Sequence, residues 1–202
     1  MWEKEKNKCD ILKKKDHFKG DTMLVQKFTV REIIFIAILS GALTLAGLVT
    51  MPLVMSVTLF GARNLVSSIF YGFFAIIGIM KVRKFGTLTL MGLFHASILL
   101  FMAPVMFFTV FFGAMASEIL TLIIFRSYEI RQARILAATM FIPFTMPSTL
   151  IFTMMIHGMT LQEILSNPIL AVLFTFGTII LGFVSSRVGE KAGLELKKAG
   201  KL

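Results

Sequence analysis

Glu118 is the only charged residue between Val105 and Phe125, in a run that contains FFGAMASEILTLIIF. A charge at the centre of an apolar helix costs about 3 kcal/mol to place in a bilayer, so such a side chain faces protein or a water-filled cavity. On a helix, Glu118 shares a face with Ala114 and Thr121 and stands beside Ser117, which turns it toward small side chains and away from lipid. Seven residues separate it from Phe125, about 10 Å along a helix axis. One reading is structural, a hydrogen bond or a pair with Arg126 or Arg83; the other is contact with a substrate or partner. At that depth it suits a pocket floor or a coupling residue better than a direct ligand contact. His95, also inside an apolar run, reads either as a helix-to-helix hydrogen-bonding group or, with the 14 methionines, as part of a haem or other tetrapyrrole site. Glu118 and His95 would serve as an acid and base pair only within about 3 Å of each other.

Polar groups outside those two runs suggest binding. The stretch ATMFIPFTMPSTLIF places Pro143 and Pro147 one turn apart, with hydroxyls at Thr145, Ser148 and Thr149. Each proline removes a backbone donor and disturbs the carbonyl four residues earlier, so a kink is expected. It is either repaired by those hydroxyls or lines a cavity. MPLVMSVTLFGARN is unusually apolar for a water-exposed connection and is expected to fold back over the helices, ending in Arg63 and Asn64. Those two side chains can pair with an anionic or polar group, although Arg63 also reads as an arginine reaching the interface. In AILSGALTLAG, Ala37 and Gly41, then Ala42 and Ala46, stand four residues apart. Small residues at that spacing admit another helix closely, either within the bundle or from a partner protein.

The elements that position these groups follow from hydropathy. The 202 residues are 56% hydrophobic with 21 Phe, and the mean hydropathy is +0.84, far above a soluble domain of this length. Apolar runs at Ile33 to Thr50, Leu65 to Met80, Thr87 to Met102, Val105 to Phe125, Ile135 to Ile156 and Ile169 to Ser186 predict six transmembrane helices. The two-residue alternation of a membrane barrel is absent. The expected fold is an all-α integral membrane protein, a six-helix bundle.

Charge sets the expected topology. Nine of the 21 Lys and Arg precede the first run; Lys81, Arg83 and Lys84 follow the second; Arg126, Arg131 and Arg134 follow the fourth; five follow the sixth. Only Arg63 falls in the opposite set of connections. Twenty against one predicts both termini in the cytoplasm of a multi-pass plasma-membrane protein. The net charge of +10 is then topology and attraction to anionic lipid, with no nucleic-acid partner. Residues 1–27 read as a basic cytoplasmic tail, residues 28–190 as one membrane domain and residues 191–202 as a second basic tail. Met23 is a second candidate start, which would make residues 1–22 an upstream extension. The first run is long and lacks a small-residue cleavage site, so no cleaved signal peptide is expected. Cys9, the single cysteine, reads as a free thiol.

Several chemistries have no motif here. GxxxxGK[ST], HExxH, CxxC and GxSxG are all missing, and His17, His95 and His157 lack metal-ligand spacing. No metal site, intrinsic cofactor or enzymatic activity is expected, and any ATP must be used by a partner.

Six short helices, small residues in the first, KVRKFG before the third and GAMASEIL in the fourth resemble the S components of energy-coupling factor (ECF) transporters. Among these the chain is most similar to those of the MptD or Trep_Strep type, over about residues 28–190. The resemblance implies a membrane subunit that captures a vitamin or similar micronutrient outside the cell, then joins a transmembrane coupling protein and two ATPases. It implies a coupling face at Ala37, Gly41, Ala42 and Ala46, and an outward pocket drawing on Arg63, Asn64, Thr145, Ser148, His157 and Asn167. The His-bearing N-terminus of the cobalt and nickel members is not matched by MWEKEK, so metal uptake by that route is not expected. The residues that mark riboflavin, thiamine or biotin binders have no match either, which leaves the substrate unnamed. The alternatives are a tetrapyrrole-binding S component, a stand-alone secondary transporter, and an intramembrane enzyme using Glu118 and His95.

Overall fold

The computed structural model describes residues 27–55, 61–165 and 168–200. All regular structure among these is helical: α1 (Val30–Met55), α2 (Ala62–Lys81), α3 (Thr87–Leu99), α4 (Pro104–Phe125), α5 (Arg131–His157), the short α6 (Leu161–Ile164) and α7 (Pro168–Lys198). Every apolar run is thus a helix. Five of them, α1, α2, α4, α5 and α7, are long and apolar enough to cross a membrane, as in a multi-pass membrane protein. The third is shorter than its apolar run: α3 has 13 residues, about 20 Å against a hydrocarbon core of about 30 Å. The basic tail of residues 1–26, with Cys9 and Met23, and residues 56–60 of the apolar connection lie outside the described residues.

Polar contacts show how the ends align. Lys84 Nζ lies 2.7 Å from Glu32 Oε2 and donates to the Lys27 carbonyl at 2.9 Å. Arg83 meets Glu129 at 3.4 Å, and the Arg131 guanidinium donates two bonds to Glu190, at 2.6 and 2.7 Å. The start of α1, the α2–α3 and α4–α5 connections and the last third of α7 therefore share one end, here the basic end, and the long elements run up and down in alternation. α1 begins there with a reciprocal cap: the Thr29 amide donates to Glu32 Oε2 at 2.7 Å and the Glu32 amide to Thr29 Oγ1 at 3.4 Å.

Lipid offers no hydrophobic reason for helices to associate, so close packing must supply the attraction. The most extensive contact is α2 against α7, and it is built on glycine. A Cβ on Gly189 would lie 2.5 Å from Ile76 Cγ2 and 2.8 Å from the Phe73 carbonyl; one on Gly72 would lie 2.8 Å from the Gly182 carbonyl. The same spacing continues α7 past Ser186, where the apolar pattern stops, because Gly189, Glu190 and Gly193 face α2 and α5 while Lys191, Lys197 and Lys198 face outward. α5 runs as one helix through Pro143 and Pro147. The hydroxyls of Thr145, Ser148 and Thr149 bond to the carbonyls of Ile142, Phe144 and Thr145, not to those of Thr139 and Pro143, whose usual helical amide donors the prolines lack.

Gly189→Ala should lower stability by about 1–3 kcal/mol in detergent, because backbone atoms of α2 cannot move aside cheaply. Gly41→Ala, where no atom lies within 4 Å of the added methyl, should stay within about 0.5 kcal/mol. Thermal unfolding of both variants checks the contrast; equal losses would contradict the packing account.

Candidate functional site

α3 does not start at the end of the bundle. Its first turn is level with Glu118, a position about 10 Å inside the end of α4, because the VRKFG segment dips inward before the helix begins. A helix start buried there has amide groups that water cannot reach. Its N-cap residue is Gly86, with φ 87° and no side chain to accept a bond. A Cβ at this residue would also press on the Phe28 ring at 3.3 Å.

Glu118 performs the missing function from the neighbouring helix. Its Oε1 accepts the Gly86 amide at 2.7 Å and the Tyr128 hydroxyl at 3.0 Å, and its Oε2 accepts the Thr89 amide at 2.9 Å and the Thr89 hydroxyl. One carboxylate thereby satisfies the N-cap and N3 donors that two side chains share in an ordinary capping box, and its charge faces the positive end of the α3 dipole. Glu118 is 3% exposed and Tyr128 1%, so water does not compete. Burial, and after it the Glu118 carboxylate, push the Tyr128 phenol well above its ordinary range. The hydroxyl keeps its proton and remains a donor. Arg126 and Arg83 do not pair with Glu118; Arg83 engages Glu129.

His95, one and a half turns further along α3, joins a second buried group. Its Nδ1 lies 2.8 Å from Thr44 Oγ1 on α1, and its Nε2 bonds to the Tyr71 hydroxyl on α2. Thr44 Oγ1 also donates to the Ser40 carbonyl at 2.9 Å. With that hydroxyl hydrogen committed, every remaining hydrogen finds an acceptor if Nδ1–H donates to Thr44 and Tyr71 donates to Nε2. Ser40 Oγ contacts the carbonyls of Ile36 and Met91, and the Tyr71 ring meets Phe141 of α5 edge-on at 5.1 Å. Four helices are joined here. Six residues, about 9 Å along α3, separate His95 from the Glu118 contact at Thr89, so the two form no acid and base pair. Among the described residues no cluster of His, Cys, Asp and Glu is arranged to hold a metal.

The residues expected in an outward pocket are dispersed. Gly61, at the start of α2, packs against Met146 of α5 and Phe174 of α7. From Met146, α5 continues eleven residues to His157, about 16 Å. α2 therefore begins on a step below the tip of α5, with Arg63 exposed and Asn64 half-buried on that step. Ser148 is half-buried and donates to Phe144 O, while Thr145 is buried against Gly113 of α4 with its hydroxyl on Ile142 O. His157 is exposed as the last residue of α5. Asn167 lies outside the described residues. The four small residues of α1 do not form one stripe: at about 100° per residue, Ala37 and Gly41 flank one side of the buried face of Ile36, Ser40, Leu43 and Thr44, and Ala42 and Ala46 flank the other.

Sequence reasoning missed Gly86, Thr89 and Tyr128 around Glu118, and Ser40, Thr44 and Tyr71 around His95. The KFGT segment, a glycine before a run of apolar residues with no capping side chain, was one usable signal for a start capped from elsewhere. The others needed the helix pairing. Local caps were legible as Thr29 with Glu32 and Thr160 with Glu163, each a threonine followed three residues later by glutamate.

Glu118→Ala should cost about 3 kcal/mol or more, since it strands two buried amides; Tyr128→Phe should cost about 1 kcal/mol. Both are read from unfolding curves in detergent, and an Ala variant as stable as the parent would remove the capping role. His95→Phe should lose about 2 kcal/mol by stranding the Tyr71 hydroxyl, which a His95→Phe, Tyr71→Phe double variant should partly recover. No protein-family model, no curated protein and no solved structure matches this chain.

Proposed function

We propose that the chain is the substrate-binding membrane subunit of an ECF-type importer. The observation that supports this best is six alternating apolar helices with the basic connections gathered at one end, in a chain that carries no phosphate loop of its own. By the positive-inside rule the basic end is cytoplasmic, α3 counts as a sixth, short span and the membrane is the plasma membrane. Energy then comes from a coupling protein and two ATPases, with ATP used by those partners.

On this reading the substrate enters at the opposite end, above the step where α2 begins. Arg63 and Asn64, the polar groups on that step, are its first contacts, with Ser148 and His157 further along α5. A vitamin-like micronutrient with an anionic or polar group fits an arginine and an amide placed together at that end. The tetrapyrrole variant draws less support, since both His95 nitrogens are already hydrogen bonded. Glu118 and His95 sit too far apart along α3 to favour an intramembrane enzyme.

Coupling uses α1, the least buried of the long helices. Native mass spectrometry of the protein purified from its host in mild detergent should show a coupling protein, two ATPases and a retained small-molecule mass. Gly41→Leu projects a side chain into open space, so it should remove the partners while the variant stays folded and keeps its small molecule. A bare protein, under conditions that preserve known transporter complexes, would move the reading to a secondary transporter.

A further inference from the structure

The first half of α5 and the middle of α7 flank a groove of 460 Å³ that no part of the proposed transport cycle uses. This is the size of a small-molecule site, about 300–1,000 Å³. Ile135 and Thr139, both buried, form its base, and Leu136, Ile179, Ile180 and Phe183 form its walls. It runs from Arg187 inward to Ile179, eight residues along α7, about 12 Å. The groove is almost wholly apolar, and its cationic group stands at the basic end.

Arg187 is exposed, and its guanidinium lies 5.0 Å from the centre of the Phe183 ring, which holds it at the groove mouth. Its neighbours are differently engaged: Arg131 is bonded twice to Glu190, and Arg134 to the carbonyls of Tyr128 and Glu129. Among the described residues no carboxylate lies within ion-pair distance of Arg187. An apolar slot about 12 Å long, with an exposed arginine at its interfacial end that lies within ion-pair distance of no carboxylate among the described residues, matches one kind of molecule in both charge and shape.

We propose that this groove holds an acyl chain of an anionic phospholipid, with Arg187 on the lipid phosphate. The inference rests on the chain lying in a membrane and is independent of what it transports. An arginine near a membrane surface contributes a fewfold preference for anionic over zwitterionic lipid. The apolar wall adds retention that does not depend on the headgroup.

The test is native mass spectrometry of the full-length protein in detergent with equimolar dioleoyl phosphatidylglycerol and dioleoyl phosphatidylcholine. The parent should retain one phosphatidylglycerol in preference to phosphatidylcholine, and excess glycerol phosphate should not displace it. Arg187→Gln should reduce that retention about fivefold, and Arg187→Lys should restore part of it. Leu136→Trp, which fills the groove beneath an intact Arg187, should reduce both lipids; Ile180→Trp does the same from the α7 wall if the first variant misfolds. Equal retention of the two lipids, an unchanged Arg187→Gln variant, or retention unmoved by both groove-filling variants would overturn the proposal. So would displacement by glycerol phosphate, which would mark a headgroup site alone, or a photo-cross-linker at Ile180 that captures a protein helix instead of lipid in host membranes.

Discussion

A helix that begins inside an apolar bundle must have its first amides satisfied without water, and this requirement organises the basic half of the molecule. α3 starts on Gly86, which cannot cap it, so the acceptor comes from α4 as Glu118. The carboxylate in turn fixes Tyr128, and the Tyr128 ring lies 5.1 Å from Phe85, covering the inward-dipping VRKFG segment. Lys84, in that same segment, reaches Glu32 and the carbonyl before α1. The cost of burying one charge is therefore offset by four donors and a helix dipole, and the arrangement sets where two connections and the start of α1 sit.

The rest of the bundle follows the rules of packing in lipid. Glycines on α2 and α7 bring backbones together, while hydroxyls bond mostly to carbonyls of their own or adjacent helices. Ser117 reaches across to Ala137 O at 2.7 Å, and Ser40 to Met91 O at 3.1 Å. Among the described residues, the Thr44, His95 and Tyr71 chain is the one place where three side chains from three helices bond in sequence. It holds α1 to a bundle against which that helix otherwise buries little surface.

These fixings are unevenly distributed. Ion pairs and the Glu118 cap are at the basic end, whereas the opposite end has a step at the start of α2, and His157 and Arg63 are exposed there. Among the described residues, polar contacts between elements are therefore concentrated at the basic end, where local opening is most costly.

The all-helical class and the places of the five long apolar helices were legible in the residues alone, since runs of about 20 apolar residues are a sufficient physical signal. The helix start at Thr87 and the inward face of Glu118 were legible too, from the hydropathy boundary and from helical periodicity with Ala114 and Thr121. What Glu118 bonds to was not, because its partners, Gly86 and Thr89, lie about 30 residues away on a helix whose pairing no local pattern encodes. The same holds for Thr44 and Tyr71 around His95, and for the division of the four small α1 residues between two flanks. The extension of α7 past Ser186 was likewise decided in three dimensions: its residues are largely polar by composition, and Gly189 and Gly193 pack against α2 while Glu190 bonds to Arg131 of α5. Composition determined that this chain folds in lipid as a helical bundle; which buried groups face one another was decided by tertiary contact, since hydrogen bonds between helices depend on register and not on sequence distance.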